Sequence, residues 1–317
     1  MAEIINLKEI DNSYFKKSKN VLVIGFFDGV HKGHKSIIKK CVNKALKLNG
    51  KSIALTFDNP PLNVITGKKE KKLIISLEKK IKIIDKLGID HIVIVDFNSD
   101  FANLSAEDFC RQIIIEKLNA SEIFVGENFR FGKGAKGDVN LLKMFFSNTP
   151  IKINIVKLLK INGTEISSTE IRKLYNEGDI EKIKLFLGRY PEINGKVVSG
   201  FKRGSKLGFP TANVELDENY IIPKNGVYFS KVSINSMKKL FPAVVNIGNN
   251  LTFGFRKTLM EVHIFDFNKN IYGENISIIL MKYHRPELKF KSEAELAKQI
   301  ASDIESGKDF FLNKRKK

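Results

Sequence analysis

The chain has 317 residues, 43% of them hydrophobic and 28% charged, with a formal net charge of +19. At roughly 100–200 residues per domain this predicts two globular domains, each with enough apolar material for its own core. Lysine supplies most of the charge and is scattered along the whole length, the pattern of solvated faces rather than of a nucleic-acid groove, although a basic surface suits anionic small molecules such as nucleotides.

The only cysteines, Cys41 and Cys110, stand far apart and in no paired motif, which fits a reducing cytoplasm and argues against a disulfide framework or a cysteine metal site. The opening MAEIINLKEIDNSYFKK lacks the apolar stretch of a signal peptide. No uncharged apolar run reaches the about 18 residues of a membrane-spanning helix. A cytoplasmic protein without membrane contact is expected. The ending NKRKK reads as a frayed basic tail.

In chain order, Val21–Phe27, Ser52–Phe57, His91–Phe97, Glu122–Gly126 and Ile151–Val156 are short, β-branched apolar runs, suited to strands buried on both faces. Helical patterns over Gly33–Leu48, Ser76–Leu87 and Ser105–Leu118 alternate with them, and Ser105 with Asp108 forms a capping pair. Such alternation predicts a parallel sheet with ligands at the carboxyl ends of its strands. A helical stretch over Ser168–Gly188 follows. From Ile193 onward the segments are short and alternating (INGKVVSG, GVYFSKVSI, FPAVVNIG, TLMEVHIFDF, NISIILMKY), with no helix until SEAELAKQIASDIESG. That pattern predicts an antiparallel barrel or sandwich. The expected division is 1–186 and 187–317.

The first strand runs into FDGVHKGH, where Asp28 and Gly29 form a turn that aims His31 and His34 at a helix start. Backbone N–H groups and the helix dipole attract phosphate there. Two imidazoles can donate to its oxygens, more strongly if protonated. Gly33 lets the backbone approach closely. The spacing also admits two histidines satisfied within a loop, or a metal pair, for which no third ligand stands nearby in sequence.

FDGVHKGH resembles the H-x-G-H signature of nucleotidyltransferases with a HUP-type Rossmann-like fold. That resemblance implies phosphate contacts for Phe27, Asp28, Gly29 and Gly33, and a role for His31 and His34 in steadying a triphosphate as its α-phosphorus is attacked. A second signature of that superfamily corresponds to ISSTEIRK, where Ser168 and Thr169 can bond phosphate and Arg172 can neutralise a leaving pyrophosphate. By itself, Ser168–Thr169 also reads as an ordinary helix cap. VGENFRFGKGAKGD is no dinucleotide fingerprint, because no helix follows at once; it can cover a nucleotide or flavin through Asn128 and Arg130.

In the second half, GKVVSGFKRGSKLGFPTANV carries glycines and lysines able to wrap polyphosphate, among them Gly195, Lys202 and Gly208, and reads equally as a plain hairpin with Pro210 at its turn. Thr211 and Asn213 are oxygen ligands suited to Mg²⁺. Glu261 is either a solvent-facing strand residue or a general base beside a ligand. His263 shares its strand face and reads as structural.

GxxLGFPTAN together with NIG, TFG, EVHIFDF and RPELKF resembles riboflavin kinase, and joined to the H-x-G-H domain it resembles the bacterial bifunctional riboflavin kinase/FMN adenylyltransferases. The resemblance runs from about Val21 to Gly307. It implies an N-terminal α/β adenylyltransferase domain and a C-terminal six-stranded barrel with a terminal helix. It implies ATP, riboflavin, FMN and FAD as substrates and products, and Mg²⁺ as metal. Glu261 would be the base for the ribityl hydroxyl, Thr211 and Asn213 the Mg-ATP ligands, and Asn128 and Arg285 flavin contacts. Cytidylyl- and pantetheine-phosphate adenylyltransferases lack the GFPTAN module, and no nucleic-acid module or tryptophan supports an RNA- or DNA-binding reading. Two departures stand out: TFDNPP at Thr56–Pro61 lacks the histidine of the family's T-F-x-P-H-P, and Leu251 replaces the proline of N-I-G-x-x-P-T-F. Oligomeric state leaves no trace in the sequence.

Overall fold

The computed structural model describes residues 1–67, 71–199, 208–237, 239–248 and 259–315. They form two compact units, Met1–Glu170 and Ile171–Lys317.

In the first unit the β-branched runs become strands β1 (Glu3–Asn6), β2 (Asn20–Ile24), β3 (Lys51–Phe57), β4 (His91–Val95), β5 (Ala120–Gly126) and β6 (Lys152–Val156). They lie in the order β1-β4-β3-β2-β5-β6 and every pairing is parallel. All five residues of β2 are buried, as a central strand with both faces covered requires. Strand β1, absent from the pattern reading, adds to the edge beside β4; only Ile5 of its four residues is buried, so it shows no alternation.

The chain adds β3 and β4 on one side of β2, then returns to place β5 and β6 on the other. Ligands of open parallel sheets bind outside the carboxyl ends where that direction reverses. The segments leaving those ends of β2 and β5 carry His31, His34 and Asn128.

Helices α1 (Lys32–Lys47) and α2 (Leu77–Asp85) start at His31 and Ser76. The stretch expected as one helix over Ser105–Leu118 does begin with Ser105 accepting from Asp108 N at 2.9 Å. It then winds as a π-helix through Phe109–Lys117, so that Leu118 N reaches back five residues to Ile113 O at 3.0 Å. A helix not anticipated, α3 (Val139–Phe146), joins β5 to β6; it is only eight residues long and is capped by Asp138. The short strands β7 (Lys160–Ile161) and β8 (Thr164–Glu165) form a hairpin about Asn162–Gly163. Ser168–Gly188, expected as one helical stretch, is two helices, α4 (Ser168–Glu177) and α5 (Ile180–Leu187). Gly178 at φ 77° breaks it, and Asp179 caps the second part by accepting from Lys182 N at 3.0 Å. Contacts divide the chain at Glu170/Ile171, earlier than the change of pattern at 186/187. Tyr175 O accepts from Lys224 N at 2.9 Å and α5 packs on the last barrel strand.

The second unit is a closed antiparallel barrel of β9 (Glu192–Val198), β10 (Ala212–Leu216), β11 (Gly226–Ile234), β12 (Leu240–Gly248), β13 (Leu259–Ile264) and β14 (Asn275–Arg285), in the order β10-β13-β12-β11-β14-β9. Val197, Val214, Met260 and Ile247 are register neighbours, all buried, and fill the interior. The alternate residues face outward. There Val227, Phe229, Val244, Phe265 and Met281 are covered by Phe311 of α6 (Glu293–Arg315). The ending expected to fray is thus helical as far as Arg315, because Phe310 and Phe311 hold the last turns against the barrel. The parallel sheet, the six-stranded barrel and the terminal helix agree with the expected architecture.

Phe311→Ala removes the anchor of α6 and is expected to destabilise the second unit by about 3–5 kcal/mol, read as a lowered midpoint in denaturant unfolding.

Candidate active sites

The first site is built on the turn between β2 and α1. Phe27 (φ 53°), Gly29 (φ 78°) and Val30 (φ 36°) are all left-handed, which costs each non-glycine residue about 1–3 kcal/mol. Tethers hold the turn in place. Thr56 Oγ1 donates to Phe26 O at 3.1 Å, Ile74 N donates to the Asp28 carboxylate at 3.0 and 3.3 Å, and Ser168 Oγ donates to Asp28 O at 3.0 Å. Asp28 is 1% exposed, so its carboxylate anchors the turn from within.

His31 is the cap of α1: its Nδ1 accepts from His34 N at 3.2 Å, which leaves the proton of the neutral ring on Nε2. The two imidazoles stack, with centroids 3.6 Å apart and planes 19° from parallel, and Phe27 packs edge-on against His34 at 5.3 Å. A Cβ at Gly33 would lie 3.1 Å from His31 ring atoms, so glycine is what allows the stack. His34 Nδ1 is shut from solvent and has no hydrogen-bond partner. Burial, and then the neighbouring His31 and Lys80, hold His34 well below the ordinary imidazole range. His34 is therefore a neutral donor at pH 7. The metal reading of the pair finds no support: among the described residues no three His, Cys, Asp or Glu side chains gather into a metal-holding group.

At the start of α4 the capping residue is Ser167, whose Oγ accepts from Glu170 N at 3.1 Å. That frees the neighbouring Ser168 to bind Asp28 O, while Thr169 is exposed. Arg172 is half-buried and is counted with the second unit. Asn128 and Arg130 are exposed just past β5, in a loop pinned by an antiparallel bridge between Phe131 and Gly137 and by the stacking of Phe129 on Phe131 at 5.4 Å. Arg130 Nη1 donates to Phe129 O at 3.2 Å.

The second constellation lies on the outer face of the barrel. Register sets Glu261 directly opposite Asn213 on β10 and opposite Asn246 on β12, so the three side chains share a face in one row. Asn213 is 9% exposed, and Glu261 and Asn246 are half-buried. Asn246 was not singled out from sequence. Its signal, the polar residue inside the apolar run AVVNIG, gains meaning only with the register. His263, two residues along from Glu261, has Nδ1 2.9 Å from Pro210 O and thereby ties the GFPTAN turn to β13. Thr211 is half-buried beside that turn, and Gly208 is exposed at φ 85°. Gly195 sits within β9, where a Cβ would lie 2.4 Å from Val214 Cγ1 and 2.6 Å from Glu215 O. Close strand approach accounts for that glycine. Lys202 and Leu251 lie outside the described residues. The Arg285 guanidinium is engaged by Asp303 of α6, Nε to Oδ1 at 2.8 Å and Nη2 to Oδ2 at 2.6 Å, with Gln299 Nε2 also on Asp303 Oδ1 at 3.0 Å. Arg285 therefore locks α6 to the barrel.

A helix start bearing stacked histidines at the reversal of a parallel sheet, followed by a barrel with a carboxylate flanked by amides, defines a two-domain group-transfer enzyme acting on nucleotides. Residues 14–170 match the family model for FAD synthetase and residues 187–311 that for riboflavin kinase. A bifunctional riboflavin kinase/FMN adenylyltransferase from Buchnera aphidicola subsp. Schizaphis graminum is 40% identical over 97% of each chain. The Bacillus subtilis (strain 168) protein of that description is 37% identical over 95% of each. A crystal structure of a Streptococcus pneumoniae protein described as a macrolide-efflux protein has a TM-score of 0.85 at 30% identity, over 96% of this chain and 98% of that one. Among the described residues, no helix is long and apolar enough to cross a membrane. The chain belongs to the bifunctional riboflavin kinase/FMN adenylyltransferases, with ATP, riboflavin, FMN and FAD as its substrates and products.

The depressed His34 has a consequence for stability. Its unfolded-state partner takes up a proton as pH falls through the ordinary imidazole range while the folded ring does not. Stability present above pH about 6.5 is therefore lost below it, by at most about 1.4 kcal/mol per pH unit from this group. His34→Gln is expected to flatten that part of the acid limb when unfolding midpoints are compared from pH 7 to 5.

Proposed function

We propose that the two activities use two separate sites. In the first unit, FMN phosphate attacks the α-phosphorus of ATP at the start of α1, giving FAD and pyrophosphate. The attacking phosphate is already an anion, so the protein supplies positioning and charge stabilisation rather than a base. His31 and His34 donate to the phosphates from the rigid stack, with Gly29 and Gly33 giving the backbone room. Ser168 holds the turn, and Thr169 with Arg172, one helical turn beyond Ser168, takes the leaving pyrophosphate. Asn128 and Arg130 are assigned to the flavin side. The observation that carries this reading is the stacking of His31 on His34 at a capped helix start beneath the sheet reversal.

In the barrel, the γ-phosphoryl group of ATP passes to riboflavin, giving FMN and ADP. This step must deprotonate an alcohol, and Glu261 is assigned as its base. The row of Asn213, Glu261 and Asn246 supports that assignment.

Thr211 and Asn213 suit Mg²⁺ as hard oxygen donors. That ion is held largely by substrate phosphates and water, with few protein ligands needed. When bound, Mg²⁺ would offset the charge of the transferring phosphoryl oxygens. A cytoplasmic setting is supported by Cys41 and Cys110, both free, buried and raised in pKa by that burial.

His34→Ala is expected to lower FAD formation from FMN by roughly 10²–10³-fold, the size of losing one transition-state donor, while riboflavin phosphorylation survives. Separation of the flavins after incubation with ATP and Mg²⁺ reads both, and near-normal FAD synthesis would refute the assignment. Glu261→Gln is expected to abolish FMN formation from riboflavin and leave FAD formation from supplied FMN intact; loss of both together would refute separate sites.

A further inference from the structure

Lys80 is 1% exposed on α2, among the least accessible side chains of the first unit. Its Nζ donates to Phe57 O at 2.8 Å, stands 3.4 Å from Thr56 Oγ1 and lies 4.3 Å from the centre of the Phe26 ring. Thr56 Oγ1 itself donates to Phe26 O. One ammonium thus sits beneath two neighbouring strand ends: that of β2, from which the histidine turn departs, and that of β3, from which TFDNPP departs. The groups in direct contact are a carbonyl, a hydroxyl and a ring, with the Asp28 and Asp58 carboxylates acting on the ammonium from farther away.

A buried cation is costly to keep, and for Lys80 burial outweighs the pull of the two aspartates. Lys80 stands close enough to help hold His34 neutral. His34 therefore brings no charge to the helix start, whereas Lys80 places an ammonium beneath it. A surface lysine could join the strand ends no better than a threonine, whereas a buried ammonium also projects positive potential through a medium that screens it poorly.

We propose that Lys80 is a positioning residue of the adenylyl-transfer site, aligning the ends of β2 and β3 and providing the buried positive charge that a triphosphate at His31 and His34 balances. This rests on the reading of that helix start as the ATP site. Lys80 does not touch the reacting atoms; it acts through the turn and through His34.

The titratable groups that face Lys80 are Asp28 from the turn after β2, Asp58 just beyond β3 and His34 from α1. Burial pushes the amine down to about 8, and the two aspartates pull the other way. Its charge is therefore present below that pH and lost above it. A bound triphosphate favours the charged form, so ATP binding above pH about 8 draws in a proton.

The test uses the full chain, wild type and Lys80→Met, with FMN adenylylation and riboflavin phosphorylation assayed on the same preparation across pH 6.5–9.5. The expected result is a rise in the ATP KM for FAD formation in the wild type above pH about 8. The variant should lack that limb and lose about 10- to 100-fold in kcat/KM at pH 7, the size seen when a residue acts through a neighbouring ligand, while its kinase rate is retained. Calorimetry with ATP at pH about 8.5, in buffers of different ionisation enthalpy, should show proton uptake by the wild type that is absent from the variant. A variant with wild-type KM and pH profile overturns the proposal. So does a variant whose activity falls while the alkaline limb and proton uptake persist, since that is a structural defect alone. Should the variant not fold, a wild type with neither limb nor uptake overturns it equally. A wild type that makes no FAD from FMN fails the underlying site reading instead, and shows this before any variant is made.

Discussion

The geometry of the first site depends on a strained turn. Two non-glycine residues, Phe27 and Val30, are left-handed within four positions, at about 1–3 kcal/mol each. The hydrogen bonds from Thr56, Ile74 and Ser168 hold the turn, and each contributes about 0.5–1.5 kcal/mol net. The two sums are of the same size, so the tethers offset the strain of the turn. The reward for that strain is direction: the chain leaves β2 and enters α1 with His31 as cap and His34 stacked upon it, both rings fixed before any ligand arrives.

Much of this site was legible because its core is local. A strand, a turn, H-x-G-H and a helix follow one another within some fifteen residues, and the anion-binding character of a helix start needs no tertiary information. The tethers were not legible, because their partners lie 30, 46 and 140 residues away. Local ambiguity hid other features. Ser167 and Ser168 are adjacent and chemically alike, and only the structure shows that the first caps α4 while the second binds the turn. Strand β1 and helix α3 are too short to show a period. Lys80 was lost among the lysines of EKKIKIIDK, although it stands four residues before the buried Ile84, on the apolar face of α2.

The barrel site illustrates a different limit. Glu261, Asn213 and Thr211 were visible as polar residues in apolar strand patterns, but which of them meet is a matter of register, and register is set by pairing across the sheet. Once β13 lies between β10 and β12, Asn246 joins the row without any further assumption. Register also explains Gly195 through its close contact with β10. The partner of Arg285, Asp303, was not legible in sequence because it belongs to α6 and reaches Arg285 only after the barrel has closed.

The two sites meet opposite chemical demands with opposite electrostatics. On the proposed reading an attacking phosphate arrives charged, so the first site has no use for a base; burial keeps His34 neutral, and positive potential is drawn from the helix start and from a lysine sealed beneath the strand ends. On the same reading an attacking alcohol arrives neutral, so the second site would need a carboxylate that can take a proton, and register sets Glu261 between two amides. In the first unit the groups concerned, His34 and Lys80, are shaped by burial, whereas in the barrel the half-buried Glu261 is set by register between two amides.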